Sequence, residues 1–319
     1  MANITVDLNS KIVPAEQRIW IVHPGRNRSH IDTFLFEGAV FLEFPGLELR
    51  PDHLQDDGDL RQRIRYAQAV KANRGFVRDD GSPIRVADFT AQPDTDVAVH
   101  LRTVKHLTDR MKKGDLVVVP GRGAGGNVLF GEVAGSFFPQ QSIQVPSLIY
   151  AKTPVRRVNW VQERSKLELP ADLIRYFEKP PAIAEVARDH ISERFFDYAY
   201  DAYSTGDRSW VSLEAPAYDG SDFLSLIQPP QLIALAVSIY RAMETGADLS
   251  GLSYDEIIRR HYDDDALADA QMRFASPGRY NLRWRRFSVQ FGGLAKVGSG
   301  SDYAASLCSG LALSGASPG

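Results

Sequence analysis

The run Leu116-Val117-Val118-Val119-Pro120, followed by Gly121-Arg122-Gly123-Ala124-Gly125-Gly126 and then by Val128 to Val133, constrains this chain more than any other feature. Consecutive residues branched at Cβ favour extended backbone, and an unbroken apolar run reads as a central strand. A glycine-rich loop that leads into a second apolar run closes a hairpin. The pair is expected to be one hairpin of a small barrel.

Elements on either side fit that sheet. Ile19-Trp20-Ile21-Val22 is a buried strand ended by Pro24-Gly25, and Ala39 to Phe44 repeats the pattern before Pro45-Gly46. From Leu60 to Ala72 the spacing becomes helical, with Leu60, Ile64, Ala67 and Val70 on one side. Val97 to Met111 reads as extended and then helical, with Lys112-Lys113-Gly114-Asp115 as its exit. Pro146 to Trp160 holds a further extended pair with Val155, Val158 and Trp160 in the core, and Leu167 to Phe177 is a short helix or turn. Consecutive prolines break regular structure, so the first domain is expected to span 1–181 and the second 182–319.

The second half changes texture. Ile183 to Tyr203 and Gln231 to Met243 read as helices, as does Tyr254 to His261 with a continuation through Met272. Tyr280, Leu282 and Trp284 then alternate with Arg279, Asn281, Arg283 and Arg285, which makes a strand with a bulge near Arg285-Arg286. The end, 292–319, is rich in Gly, Ser and Ala. The fold class expected is therefore α+β, with a β-barrel domain carrying helices followed by a mainly helical α+β domain.

Composition narrows the function. A net charge of -3 argues against a generally basic surface, so any nucleic-acid contact must come from a local patch. The single cysteine, Cys308, can form neither an internal disulfide nor a thiolate zinc site, which points to a reducing compartment. No secretory signal and no apolar stretch of membrane length is visible, so a cytoplasmic protein without a membrane partner is expected.

Three segments resemble a known family. Ile19 to Arg26, the Val40 to Gly46 strand, and Met111 to Val119 leading to Phe130-Gly131-Glu132-Val133 look like the N-terminal domain of Mrr-type restriction proteins, which is similar to EVE, YTH and other PUA-like folds. Val155 to Trp160 and Leu169 to Leu173 resemble the family's closing strand and following turn, so the likeness runs from about Ala15 to Glu185. It implies a compact barrel whose concave pocket accepts a flipped or modified base, or another planar ligand. Such a ligand gains from an aromatic wall and from polar groups at its edge. On that basis the ligand-binding candidates are Trp20, His23, Arg26, Phe44, Asp115 and Trp160, with Phe41 and Glu132 nearby.

Each candidate also has a structural explanation. Trp20 and Trp160 lie in apolar runs and suit a core, Asp115 suits the free amides of a turn, and the glycine loop lacks the spacing and Lys-Ser/Thr ending of a phosphate loop. Arg122 at its tip, with Arg279, Arg283, Arg285 and Arg286, can still contact phosphate. The arginines of the late strand can equally meet the acidic segment Asp255 to Asp269.

No nucleophile elbow, His-Glu-x-x-His or nuclease signature is present, so no catalytic residue, metal or cofactor is assigned. The expectation is a nucleic-acid or modified-base recognition protein, a sensor or specificity part of a prokaryotic antiphage defence or restriction system. It would bind nucleic acid or a nucleotide and act with an effector protein or as a homo-oligomer. Two alternatives stand: a divergent metal-dependent nuclease built from Glu214, Asp219, Asp222 and Glu256, and a sensor of a nucleotide or a phage protein acting through a partner.

Overall fold

A computed structural model describes residues 11–178, 181–206, 208–215, 245–262, 267–273 and 278–284, with parts of the segment 231–242. The chain divides into two units, one of residues 16–199 and one that joins 1–15 to 200–319. The mixed α+β character expected from the sequence is present.

Numbered in chain order, Lys11–Ile12 (β1) belongs to the second unit. The first unit contributes Ile19–Val22 (β2), Ala39–Phe41 (β3), Leu116–Pro120 (β4), Asn127–Val133 (β5), Ser142–Gln144 (β6), Lys152–Ser165 (β7) and Ile183–Val186 (β8). These strands form one sheet in the order β3-β7-β5-β4-β2-β8, with β6 on β7, and the sheet curls into a half-barrel. Every pairing is antiparallel except β2 with β4.

The valine run is β4, buried along its whole length, and the glycine loop turns it into β5. The curl has a local cause. The register between β5 and β7 shifts at Phe130/Gly131, and a Cβ at Gly131 would lie 2.5 Å from Val158 Cγ1 and 2.7 Å from Trp160 Cε3. Only glycine lets Trp160 cross that strand, and an irregularity of this kind increases local twist.

Helices cover the sheet. Asp57–Ala72 (α2, after Ile31–Glu37, α1) begins where the Asp56 carboxylate accepts the Gly58 amide at 2.7 Å, and Thr95–Lys105 (α3) begins where Asp94 accepts Val97 N at 2.8 Å. Leu60, Ile64, Ala67 and Val70 of α2 are fully buried, as their spacing predicts. Leu60, Ile64 and Ala67 meet Trp20, Val117, Val119, Leu129 and Val158 in one core. Helix α3 starts at Thr95, so the extended beginning expected at Val97 is absent.

Two expectations fail further on. Ile183 to Val186, read as the start of a helix, is β8, and it pairs antiparallel with β2. A short apolar run does not distinguish strand from helix, and the open edge of β2 decides the matter by offering backbone partners. The sheet thus continues beyond position 181. Only Phe195–Ala199 (α5, after Ala171–Ile174, α4) is α-helical in the stretch 183–203.

The second unit carries a five-stranded sheet where a mainly helical domain is expected. Ala202–Thr205 (β9), Arg208–Ala215 (β10), Leu267–Arg273 (β11) and Gly278–Trp284 (β12) join β1 in the order β1-β9-β10-β12-β11. Residues 267–272, read as helical, belong to β11 and pair with β12 instead, because an alternating aromatic strand close in sequence supplies a ladder for them. The helix Tyr254–His261 is present, closed by reciprocal bonds between Ser253 and Glu256, and the described positions between 231 and 242 are helical with Val237 and Ala242 buried. Arg285, Arg286, Asp219, Asp222, Cys308 and the tail lie outside the described residues. Among the described residues no helix is long and apolar enough to cross a membrane.

Candidate anion-binding cleft

Strand β2 ends at Val22, and the chain then makes the sharp turn His23-Pro24-Gly25-Arg26-Asn27-Arg28. Gly25, Asn27 and Arg28 all have positive φ, at 73°, 54° and 58°. Two consecutive non-glycine residues in the left-handed region cost stability, and the surrounding structure must hold them there. A Cβ on Gly25 would sit 2.1 Å from Glu43 Oε1 and 2.4 Å from the His30 ring, so this position requires glycine.

The brace beneath the turn is a satisfied polar cluster. Glu43 Oε1 accepts from the Arg26 amide and from His30 Nε2, both at 3.0 Å, and Oε2 accepts from Lys71 Nζ. Those donors hold the Glu43 carboxyl at a pKa of about 2, the His30 bond contributing most. The Ser147 hydroxyl lies 3.3 Å from His30 Nδ1, which gives the residue types of a nucleophilic triad. The neighbouring amides of Leu148, Ile149 and Tyr150 are spent on Val145 O and Pro146 O, so that turn leaves none of them to stabilise an oxyanion. The cluster is a brace.

On the other side of the turn is an open cleft of about 450 Å³ lined by His23, Gly25, Asn27, Arg28, Arg122, Gly123, Phe177 and Glu178. Two cations line it from separate elements, Arg28 and Arg122, and a third, Lys166, reaches the glycine loop beside it. Arg28 Nη1 donates to Gly121 O, and Arg122 donates across the gap from the glycine loop, through Nε to Arg28 O at 3.1 Å and through Nη2 to Ser29 O at 3.3 Å. Lys166, buried at the end of β7, donates its ammonium to Gly121 O and to Gly123 O, the latter at 2.7 Å.

All three are held by backbone carbonyls. Among the described residues no carboxylate lies within ion-pair distance of any of them, and Glu178 stands exposed on the rim. The electrostatic consequence is direct. Burial and the nearby Arg28 charge lower the Lys166 pKa to about 8. Burial, then Arg28 and Lys166, lower His23 to about 4, so its ring is neutral at pH 7. His23 Nε2 is buried and has no hydrogen-bond partner, and an orphaned buried polar atom is costly unless something else satisfies it.

Of the residues singled out from the sequence, the structure brings His23 and Arg122 together in this cleft. The others are placed elsewhere. Trp20 is fully buried in the core and donates Nε1–H to Asp115 Oδ2 at 2.8 Å; Asp115 also accepts the Lys112 amide at 2.8 Å and the Arg18 amide at 3.2 Å. Phe44 is a core residue packed edge-on against His100, and Phe41, also in the core, packs against His30 and Phe34. Trp160 donates to Phe34 O at 3.1 Å and ties α1 to the sheet. Arg26 is exposed and does not line the cleft.

In the second unit Arg279 stands opposite Glu214, and Arg283 opposite both Trp210 and Asp269. Glu256, an expected metal ligand of the nuclease alternative, accepts instead from Ser253 N and Oγ. Among the described residues no group of three His, Cys, Asp or Glu side chains gathers as a metal site.

Arg28 and Lys166 are not among the binding candidates that the sequence marks. Arg28 shares Arg26-Asn27-Arg28 with a neighbour of the same type, and only the left-handed turn separates an exposed guanidinium from a lining one. Lys166 ends a polar stretch, where nothing in the residue order marks a buried ammonium. Neither a family model, nor a curated protein, nor a solved structure matches this chain.

Proposed function

We propose that the unit 16–199 recognises phosphate-bearing nucleic acid or nucleotide through this cleft, as the sensor or specificity part of a restriction or antiphage defence system. The observation that carries the reading is the convergence of Arg28, Arg122 and Lys166 without a carboxylate partner. Guanidinium and ammonium groups gathered at a concave, partly desolvated place are stabilised by an anion, and phosphate is the anion whose oxygens match a guanidinium fork. The chain's overall charge is slightly negative, so such attraction is local.

The finer identity, a PUA/EVE-like module of the Mrr type, is supported by the order of the resembling segments and by the curled sheet with covering helices. The base-binding wall expected of Trp20, Phe44 and Trp160 forms no part of the reading, since those rings are packed in the core or tied to α1. A bound base would meet His23 and the Phe177 side of the cleft instead.

Fluorescence anisotropy with modified and unmodified oligonucleotides, single- and double-stranded, tests this at low salt. Binding is expected to weaken as salt rises, and Arg28→Glu should abolish most of it and flatten the salt dependence by about one counterion. Arg26→Ala, on the exposed neighbour, should change affinity by no more than about twofold. A folded sample that binds no oligonucleotide or nucleotide at low salt would overturn the reading.

A further inference from the structure

We propose that the cleft receives a terminal phosphate, a phosphomonoester carried on a free nucleotide or on the end of a nucleic-acid strand, in preference to an internal phosphodiester. The inference rests on the phosphate-recognition reading above and names the ligand class of the same site.

Charge is the first argument. An internal phosphodiester brings one negative charge, whereas a phosphomonoester brings close to two near neutral pH. Arg28 and Arg122 line the cleft, Lys166 adjoins it through the Gly121 and Gly123 carbonyls, and Glu178 on the rim offsets one of these charges, so a single negative charge still leaves a positive excess in a partly buried place. A dianion removes most of that excess. Burial first, and the Arg28 charge after it, lower the affinity of Lys166 for its proton, so further positive charge is disfavoured here.

Shape is the second. The turn 25–28 and the glycine loop 121–126 are tied together at the cleft by the Arg122 bonds to Arg28 O and Ser29 O and by the Arg28 bond to Gly121 O. A space of about 450 Å³ is in the range of small-ligand pockets and suits a terminal nucleotide. The third argument is His23, a neutral ring with a buried Nε2 lacking a partner, on the wall of the same cleft. It supplies a hydrogen bond to a neutral group beside the phosphate, such as a sugar hydroxyl or a base edge.

The test uses the full chain and single strands of about twelve nucleotides carrying a 5′-phosphate, a 3′-phosphate or hydroxyls at both ends, with nucleoside monophosphates and inorganic phosphate as competitors. A phosphorylated end should bind about tenfold more tightly than the hydroxyl-ended strand. Arg28→Ala should remove that difference. Because Arg28 has positive φ, Arg122→Ala is the second variant, since its guanidinium touches only backbone carbonyls, and the thermal melt of each variant reports its folding.

Competition by a nucleoside monophosphate at concentrations similar to the strand assigns the ligand as a free nucleotide; failure to compete, with preference for the phosphorylated end retained, assigns a strand end. Equal binding of hydroxyl-ended and phosphorylated strands overturns the inference and leaves phosphodiester recognition standing. Absence of binding by every probe overturns both.

Discussion

The two ends of strand β2 treat buried polar groups in opposite ways. At the Ile19 end, the Asp115 carboxyl is almost wholly removed from water, and it is answered by Trp20 Nε1–H and by the amides of Arg18 and Lys112. At the Val22 end, Arg28, Arg122 and His23 line a cleft that Lys166 adjoins through the glycine loop, the cations resting on carbonyl dipoles and the histidine Nε2 on nothing. A charge buried for stability is surrounded by its hydrogen-bond complement, because the folded state alone must offset its desolvation. A charge group left with weak complements keeps binding capacity in reserve for a molecule that arrives later. The contrast places the candidate binding site at one end of a short strand.

The largest way to break the comparison is at the satisfied end. Asp115→Ala leaves the Trp20 indole N–H and two amides without an acceptor in the core, and should cost about 3 kcal/mol or more of unfolding free energy, measured by urea titration. Phosphate affinity of the remaining folded protein should be unchanged. Coupled loss of affinity at constant fold would mean that the two ends are not separate devices.

Gly25→Ala should cost less, about 1–3 kcal/mol, because the new Cβ meets Glu43 and His30 while the backbone is held at a φ that alanine disfavours. Its signature differs. The turn that carries Asn27 and Arg28 is displaced with the brace, so ligand affinity should fall together with stability. A variant as unstable as expected but with native affinity would show that the strained turn does not position Arg28.

How much of this was legible beforehand follows from the physics of each signal. The α2 face Leu60, Ile64, Ala67 and Val70 was readable because burial on a helix imposes a period, and the valine run because branched residues and a central strand agree. The strand β8 was hidden, since four residues carry no period, and its state is set by the edge of β2 far away in sequence. The strand β11 was hidden in the same way by β12. Within the candidate site, His23 was legible from its place at a breaker after a strand, whereas Trp20 and Asp115 look the same in sequence whether they line a pocket or satisfy each other. Lys166 was invisible, because what distinguishes it is the pair of carbonyls it reaches across the sheet.

The contrast is sharpened most by the pH dependence of the cleft. His23 titrates near 6.5 in the unfolded chain and near 4 when folded, so between those values the unfolded state binds more protons and stability falls as the solution is acidified from about 6.5 to about 4. Lys166 titrates near 10.5 unfolded and near 8 folded, so stability rises with pH across that interval. Both slopes have the sign of cations placed where positive charge is unwelcome. The brace separates from them cleanly, because Glu43 loses its contribution only as pH falls from about 4.5 towards 2. Saturating phosphate ligand should flatten the slope above pH 8, since a bound anion restores the Lys166 proton, and His23→Asn should reduce the one between 6.5 and 4, leaving the share of half-buried His100 and the acid limb below it. Thermal melts across these intervals, with and without ligand, read both outcomes. Slopes that persist unchanged in saturating ligand would place the anion away from Lys166, and with it away from this end of β2.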